Sequence, residues 1–271
     1  GLEGYLDLPV NLERRPVVHT HSSEHGYRQR IILKRNYSVA SRALKNDFDQ
    51  KNARFPLSIL RHDSKAVRPL ILCLHGFLMG SSALTERMFK IEKLFATGVD
   101  VAYFPWPFHG DRIARFYHQK LIQPGNLPLS FEGICQAIHD LKAVILNLQS
   151  LGYLKIGLIG ASLGGYLGAL YSSLQDDFAF LFMTVPALSL YPVLKPNAEC
   201  FAFEISPDIE EKSKKLLDYI TPESRVPKLP RDKFMVVYHA ADRVADASFT
   251  RKWIDQWKIV HFQALPGGHW A

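Results

Sequence analysis

The chain has 271 residues, of which 47% are hydrophobic, 12% aromatic and 22% charged. That supplies one large core and excludes a disordered chain, and no apolar run approaches the ~20 residues of a membrane-crossing helix. The net charge of +7 comes from scattered lysines and arginines, with small groups at 28–35 and 212–215 and no dense basic tract among aromatics, so no specific nucleic-acid partner is expected.

The first 30 residues are polar and rich in histidine. His19, His21 and His25 lie near Glu24, yet no ligands stand at helical spacing, and the segment reads as an exposed extension rather than a metal site. Residues 30–37 and 55–60 read as a leading antiparallel strand pair, with a polar loop or short helix at 41–53. Residues 69–74 form an apolar strand, 85–96 a helix with Thr85 as its cap, and 99–104 a second strand. A turn-rich loop follows, Pro105-Trp106-Pro107-Phe108-His109-Gly110-Asp111-Arg112. Next come a long amphipathic helix at 130–151, closed by Gly152, a strand at 156–159, a helix at 163–174 and a strand at 179–185. Residues 187–232 break the rhythm with six prolines and one helical piece at 209–219, as an insertion covering a site would. A strand at 233–238, a helix at 247–257 and a strand at 259–264 complete the pattern. Strand alternating with helix predicts an α/β fold, with a mainly parallel central sheet, helices on both faces and a small cap insertion. The chain is expected to form a single domain over 1–271, with 1–68 as N-terminal extension and leading strands.

The three cysteines, Cys73, Cys135 and Cys200, are odd in number and far apart. They form neither a disulfide framework nor a zinc pattern, and read as buried thiols of a reducing, cytoplasmic compartment. The first residue is Gly1, which leaves export open.

Chemistry concentrates at Gly160-Ala161-Ser162-Leu163-Gly164, between the strand at 156–159 and the next helix. A strand turning at once into a helix leaves no room for side chains beside the turn, and the two glycines supply that room. Ser162 is then presented at the strand tip on strained backbone, with the helix N-terminus behind it offering unpaired N–H groups. A phosphate-binding turn is the competing reading, but the Lys of a P-loop and the G-x-G-x-x-G of a dinucleotide site are both missing. Parallel sheets carry their active loops at the carboxyl ends of the strands. The residues following those ends are His75-Gly76-Phe77, then Ser162, then His239, Asp242 and Asp246, then Gly267-Gly268-His269.

With these motifs in this order the sequence resembles the α/β-hydrolase superfamily, from about residue 69 to His269. The resemblance implies Ser162 as nucleophile, His269 as base and Asp242 as the acid that orients it, with an oxyanion hole made by the backbone N–H groups of Phe77 and Leu163. It implies a serine esterase or lipase-like enzyme that uses an acyl-enzyme and needs no cofactor or metal. Trp106, Phe108, His109, Leu188 and Tyr191 are the candidates for lining a substrate pocket, which would favour an apolar acyl or aryl group. The partner is then a small-molecule or lipid ester, with peripheral membrane contact and oligomeric state left open. A peptidase or thioesterase would use the same triad, and a non-catalytic binding module would keep the same fold. Asp246 reads as a helix cap, His239 as a satisfied core histidine and His75 as a brace for the oxyanion loop. Asp111 and Arg112 are expected to pin their own loop by an ion pair, unless His109 and Arg112 touch substrate. Members of the superfamily continue past this histidine into a helix that supports its loop, so further chain or a partner is expected to supply that support.

Overall fold

A computed structural model describes residues 12–17, 22–23, 26–35, 52–63, 66–77, 79–113, 121–122, 127–189, 211, 215 and 217–270. Its strands are β1 (Leu12–Val17), β2 (Ser22–Ser23), β3 (Gly26–Arg35), β4 (Arg54–His62), β5 (Leu70–Leu74), β6 (Asp100–Tyr103), β7 (Ile156–Ala161), β8 (Phe180–Thr184), β9 (Phe234–His239) and β10 (His261–Leu265). Its helices are α1 (Ser82–Phe89), α2 (Ile91–Ala96), α3 (Leu127–Ser150), α4 (Leu163–Ser172) and α5 (Ala247–Trp257). The strands form one sheet in the order β1-β3-β4-β6-β5-β7-β8-β9-β10, with β2 paired to β3. Pairings from β1 to β6 along this order are antiparallel, and those from β6 to β10 are parallel.

Side-chain alternation divides the core into two layers. Leu70, Leu72 and Leu74 point to the layer built with α3, α4 and α5, where Ile138, Leu167 and Trp253 are buried. Ile71 and Cys73 point the other way, to Ile91 and Phe95 of α2. The central parallel strands therefore read as continuous apolar runs, since both faces are covered. Trp253 and Trp257 set α5 on the sheet, each meeting Phe234 edge-on. At the far edge the cover thins. Met235 is 50% exposed and four of the five residues of β10 are exposed. Helices on both faces thus describe the centre of the sheet among the described residues, and not its β9–β10 end.

Several boundaries differ from the sequence reading; among the strands, β3 begins at Gly26 rather than 30 and β7 runs on to Ala161. The helix expected at 85–96 is two helices, broken at Lys90 by a left-handed backbone with φ of 47°. Its cap is Ser81, whose hydroxyl accepts from the Leu84 N–H, while Thr85 lies buried a turn further on. Helix α3 begins at Leu127 rather than 130, with Pro128 in its first turn, where no N–H is needed.

Of the expected cap, the described residues are 187–189, 211, 215 and 217–232. The later part packs on α4. Tyr166 donates to the Ile220 carbonyl at 2.6 Å, Lys228 N–H to the Ser172 carbonyl at 2.8 Å and Arg225 Nε to Ser173 Oγ at 2.9 Å. The remainder of the cap, with Tyr191, lies outside the described residues, as do His19, His21, His25, Glu24 and Cys200.

Close approach of α4 to the sheet yields a stability test. A Cβ at Gly164 would stand 1.9 Å from the Leu74 carbonyl oxygen, whereas one at Gly268 would meet only Ala241 O, at 3.8 Å. Gly164→Ala should destabilise the fold by about 3 kcal/mol or yield insoluble protein, and Gly268→Ala should cost well under 1 kcal/mol, as read by urea unfolding.

Candidate active site

Five described residues other than glycine have positive φ. Lys90 and Lys258 are left-handed helix caps. The other three, Phe108, Ser162 and Val185, follow the carboxyl ends of β6, β7 and β8, so backbone strain gathers at one end of the sheet. Ser162 has φ of 50° and ψ of −114°. It is held there from both sides: its N–H donates to the Thr184 carbonyl at 3.0 Å, and its carbonyl accepts from Tyr166 N–H at 3.0 Å and Ala187 N–H at 3.2 Å. The turn requires its glycines, because a Cβ at Gly160 would lie 2.6 Å from the Gly164 carbonyl oxygen. At the start of α4 the Leu163 N–H has no carbonyl a turn behind it within the helix. Gly76 lies against Ser162, since a Cβ on it would be 3.5 Å from the Ser162 Cβ.

A continuous hydrogen-bonded line runs from this serine. His269 Nε2 is 3.0 Å from Ser162 Oγ, and His269 Nδ1 is 2.7 Å from Asp242 Oδ2. Since a carboxylate only accepts, Nδ1 carries the ring proton and Nε2 turns its lone pair to the serine hydroxyl. The carboxylate is itself fixed, its Oδ1 accepting from Val244 N–H at 2.9 Å and Ala245 N–H at 2.8 Å. Asp242 and His269 are both buried. Their two loops join through Ala240 N–H to Leu265 O at 2.9 Å and Ala241 N–H to Gly267 O at 3.1 Å. Asp246 lies apart from this line and caps α5, accepting from Ser248 N–H at 2.8 Å. The exposed Trp270 meets His269 edge-on, at 4.9 Å between ring centres.

Beside the serine, the loop after β5 is braced by His75. Its Nδ1 donates to the Gly76 carbonyl at 2.8 Å, which leaves Nε2 to accept the Trp106 N–H at 3.0 Å. The Trp106 indole donates back to the His75 carbonyl at 3.0 Å. His109 stands next to both loops, its ring 5.2 Å from that of His75 and edge-on to Phe77 at 5.7 Å. Desolvation holds both imidazoles neutral. It lowers His75 to about 3, helped by the neighbouring His109 and Arg112, and lowers His109 to about 4 against a raising bond to Pro107.

Several expected roles change. Trp106 is fully buried, edge-on to Phe104, and sits behind the His75 loop instead of on a pocket rim. Phe108, His109 and Leu188 are buried as well. Asp111 and Arg112 do not pair with each other. Asp111 pairs with Arg30 of β3 at 2.7 Å, while the buried Arg112 pairs with Asp140 of α3 at 2.8 Å and donates to the Pro105 and Asn52 carbonyls. Burial selects this geometry, because a desolvated guanidinium needs a carboxylate that is also out of water. Asp140, a charge on an apolar stretch of α3, was the available sign of such a partner. His239 is more than a core histidine, since its ring bonds the Gly268 carbonyl. Nothing in the strand that carries it marked this contact.

The neutral histidines predict an acid-sensitive fold. Both folded values lie below the ~6.5 of an exposed histidine, so the unfolded chain binds protons first as pH falls. Their contribution is complete above about pH 6.5 and is lost as pH falls, down to about 4 for His109 and about 3 for His75, at up to ~1.4 kcal/mol per pH unit for each proton. His109→Asn, which keeps a donor for Pro107, should reduce this slope by about one proton when urea unfolding is followed between pH 6.5 and 4.5.

No family model matches the chain. A protein of Mycobacterium tuberculosis described as uncharacterized is 28% identical over 216 residues, covering 78% of this chain and 51% of its own length. The chain thus spans about half the length of the curated relatives it matches. Among solved structures, acetyl xylan esterase 1 from Thermoanaerobacterium sp. JW/SL YS485 aligns with a TM-score of 0.74 at 12% identity, over 99% of this chain and 88% of that one. Acetyl xylan esterase from Paenibacillus sp. R4 gives 0.70 at 11% identity over 99% and 85%. Est1E from Butyrivibrio proteoclasticus, with ferulic acid bound, gives 0.57 at 17% identity over 80% and 87%. With the strand order and the turn at Ser162, these likenesses identify the architecture of the chain as the α/β-hydrolase fold.

Proposed function

We propose that the chain is a serine hydrolase that cleaves carboxylic esters with an apolar acyl or aryl group through an acyl-enzyme. The observation that carries this reading is the line Asp242–His269–Ser162, with spacings of 2.7 and 3.0 Å, at the tip of a strained strand-to-helix turn. The esterases of similar fold favour an ester over an amide or thioester as the bond cleaved.

In this reading Ser162 Oγ attacks the ester carbonyl carbon while its proton passes to His269 Nε2. The resulting imidazolium keeps its Nδ1 proton on Asp242, whose other oxygen is already held by two backbone N–H groups. The developing oxyanion accepts from the N–H groups of Leu163 and Phe77. When the tetrahedral intermediate collapses, the Nε2 proton leaves with the alcohol and an acyl group remains on Ser162. Water then attacks that acyl group with His269 again taking the proton, which releases the acid and restores the serine.

A fluorophosphonate should label Ser162, and Ser162→Ala should lose both the label and at least ~10³-fold of the hydrolysis of p-nitrophenyl esters. Retained turnover in that variant would remove the assignment. Asp242→Asn should lower kcat roughly 10²- to 10⁴-fold with little change in Tm, whereas Asp246→Asn keeps a good helix cap and should stay within about twofold. kcat/KM should rise with pH in a single step, and this step should vanish in His269→Ala. It should survive in His109→Asn, because His109 already stays neutral down to about pH 4.

A further inference from the structure

One side chain outside the Ser162–His269–Asp242 line grips the loop that carries His269. His239 ends β9 and is half-buried, and its Nδ1 lies 2.5 Å from the carbonyl oxygen of Gly268, the residue just before His269. A carbonyl only accepts, so Nδ1 is the donor in either charge state of the ring. The glycines there need an external hold. Gly267 has φ of 120°, and a Cβ on Gly268 would meet nothing nearer than Ala241 O at 3.8 Å, so packing alone does not fix Gly268. Backbone bonds tie the loop to the acid's loop as far as Gly267 O. Beyond that point the described contact on the loop backbone is the His239 ring. The same residue also holds the other arm, for its carbonyl accepts from Asp242 N–H at 3.1 Å.

We infer that His239 is a positioning residue that sets the register between the acid and histidine arms, its carbonyl fixing the Asp242 backbone and its Nδ1–H fixing the peptide that leads into His269. The inference rests on the proposed hydrolase reading. It assigns the ring a task that depends on a donor at one position, which separates it from mere filling of space.

Three variants test it. His239→Leu keeps bulk and removes the donor, His239→Asn keeps an N–H donor near the place of Nδ1, and His239→Gln moves that donor one bond outward. With p-nitrophenyl acetate, kcat should fall by roughly 10² in His239→Leu with KM changed less than about threefold, and His239→Asn should recover most of the loss. Hydrogen–deuterium exchange over residues 265–270 should rise in His239→Leu and return towards the parent in His239→Asn, and this readout does not depend on turnover. If His239→Leu does not fold, His239→Gln takes its place and should be slower and faster-exchanging than His239→Asn. Parent-like kcat and exchange in His239→Leu would overturn the inference, as would an Asn variant no better than the Leu or Gln variant. If the parent protein neither hydrolyses the ester nor takes a fluorophosphonate, the hydrolase reading fails and exchange alone decides whether His239 positions the loop.

Discussion

The structure depends on how closely α4 can approach the tip of the central strands. Helix α4 begins one residue after Ser162, and the Gly164 backbone lies so near Leu74 that a single methyl group would overlap its carbonyl. That contact forces the chain to turn within one residue, and Ser162 takes up the turn at a φ of 50°. Strain of this kind costs roughly 1–3 kcal/mol and persists only where the surroundings over-determine it. Here they do, through the Ser162 N–H donating to the Thr184 carbonyl on β8, the Ala187 N–H donating to the Ser162 carbonyl, and the burial of all ten residues of α4.

Around this turn, polar groups are buried in order to hold loops. His75 joins the loop after β5 to the loop after β6, and desolvation keeps it neutral so that one nitrogen can donate while the other accepts. Arg112 anchors the loop after β6 from beneath through Asp140, two backbone carbonyls and the face of Phe55. A buried ion pair of this type adds little net stability, but losing one partner strands the other charge, so it enforces a single loop position. The proposed acid and base are joined in the same manner, with each oxygen of Asp242 occupied.

The likeness to solved esterases persists at 11–17% identity, where few side chains are shared. In this chain the architecture rests on a pattern of burial: apolar central strands covered on both faces, a turn closely packed at its glycines, and loops gathered at the carboxyl ends of the strands. Many chemistries use that frame, so the fold by itself leaves the reaction open. The case for a serine hydrolase rests on the side chains at the strand tips.

Much was legible in order and pattern alone. Apolar runs marked β5 to β9, glycine spacing marked the turn at Ser162, and the succession Ser162, Asp242, His269 at strand ends marked the candidate line before any distance was known. The cap role of Asp246 was legible too, because it stands just before a helix whose first N–H groups need an acceptor. Tertiary structure decided what depends on burial and on partners distant in sequence. Trp106 and Phe108 look like pocket rim in a linear reading, since aromatics in a loop carry no sign of which way they face; Trp106 turns inward onto Phe104, and Phe108 is buried with its N–H donating to Asn52 Oδ1. Arg112 lies beside Asp111 in sequence, yet loop geometry sends the one to Asp140 and the other to Arg30. The bond from His239 to Gly268 spans 29 residues and arises because β9 and β10 pair in parallel and bring their carboxyl ends together. Periodicity reports which side of an element is buried, whereas the identity of a long-range polar partner exists only once the sheet has set its register.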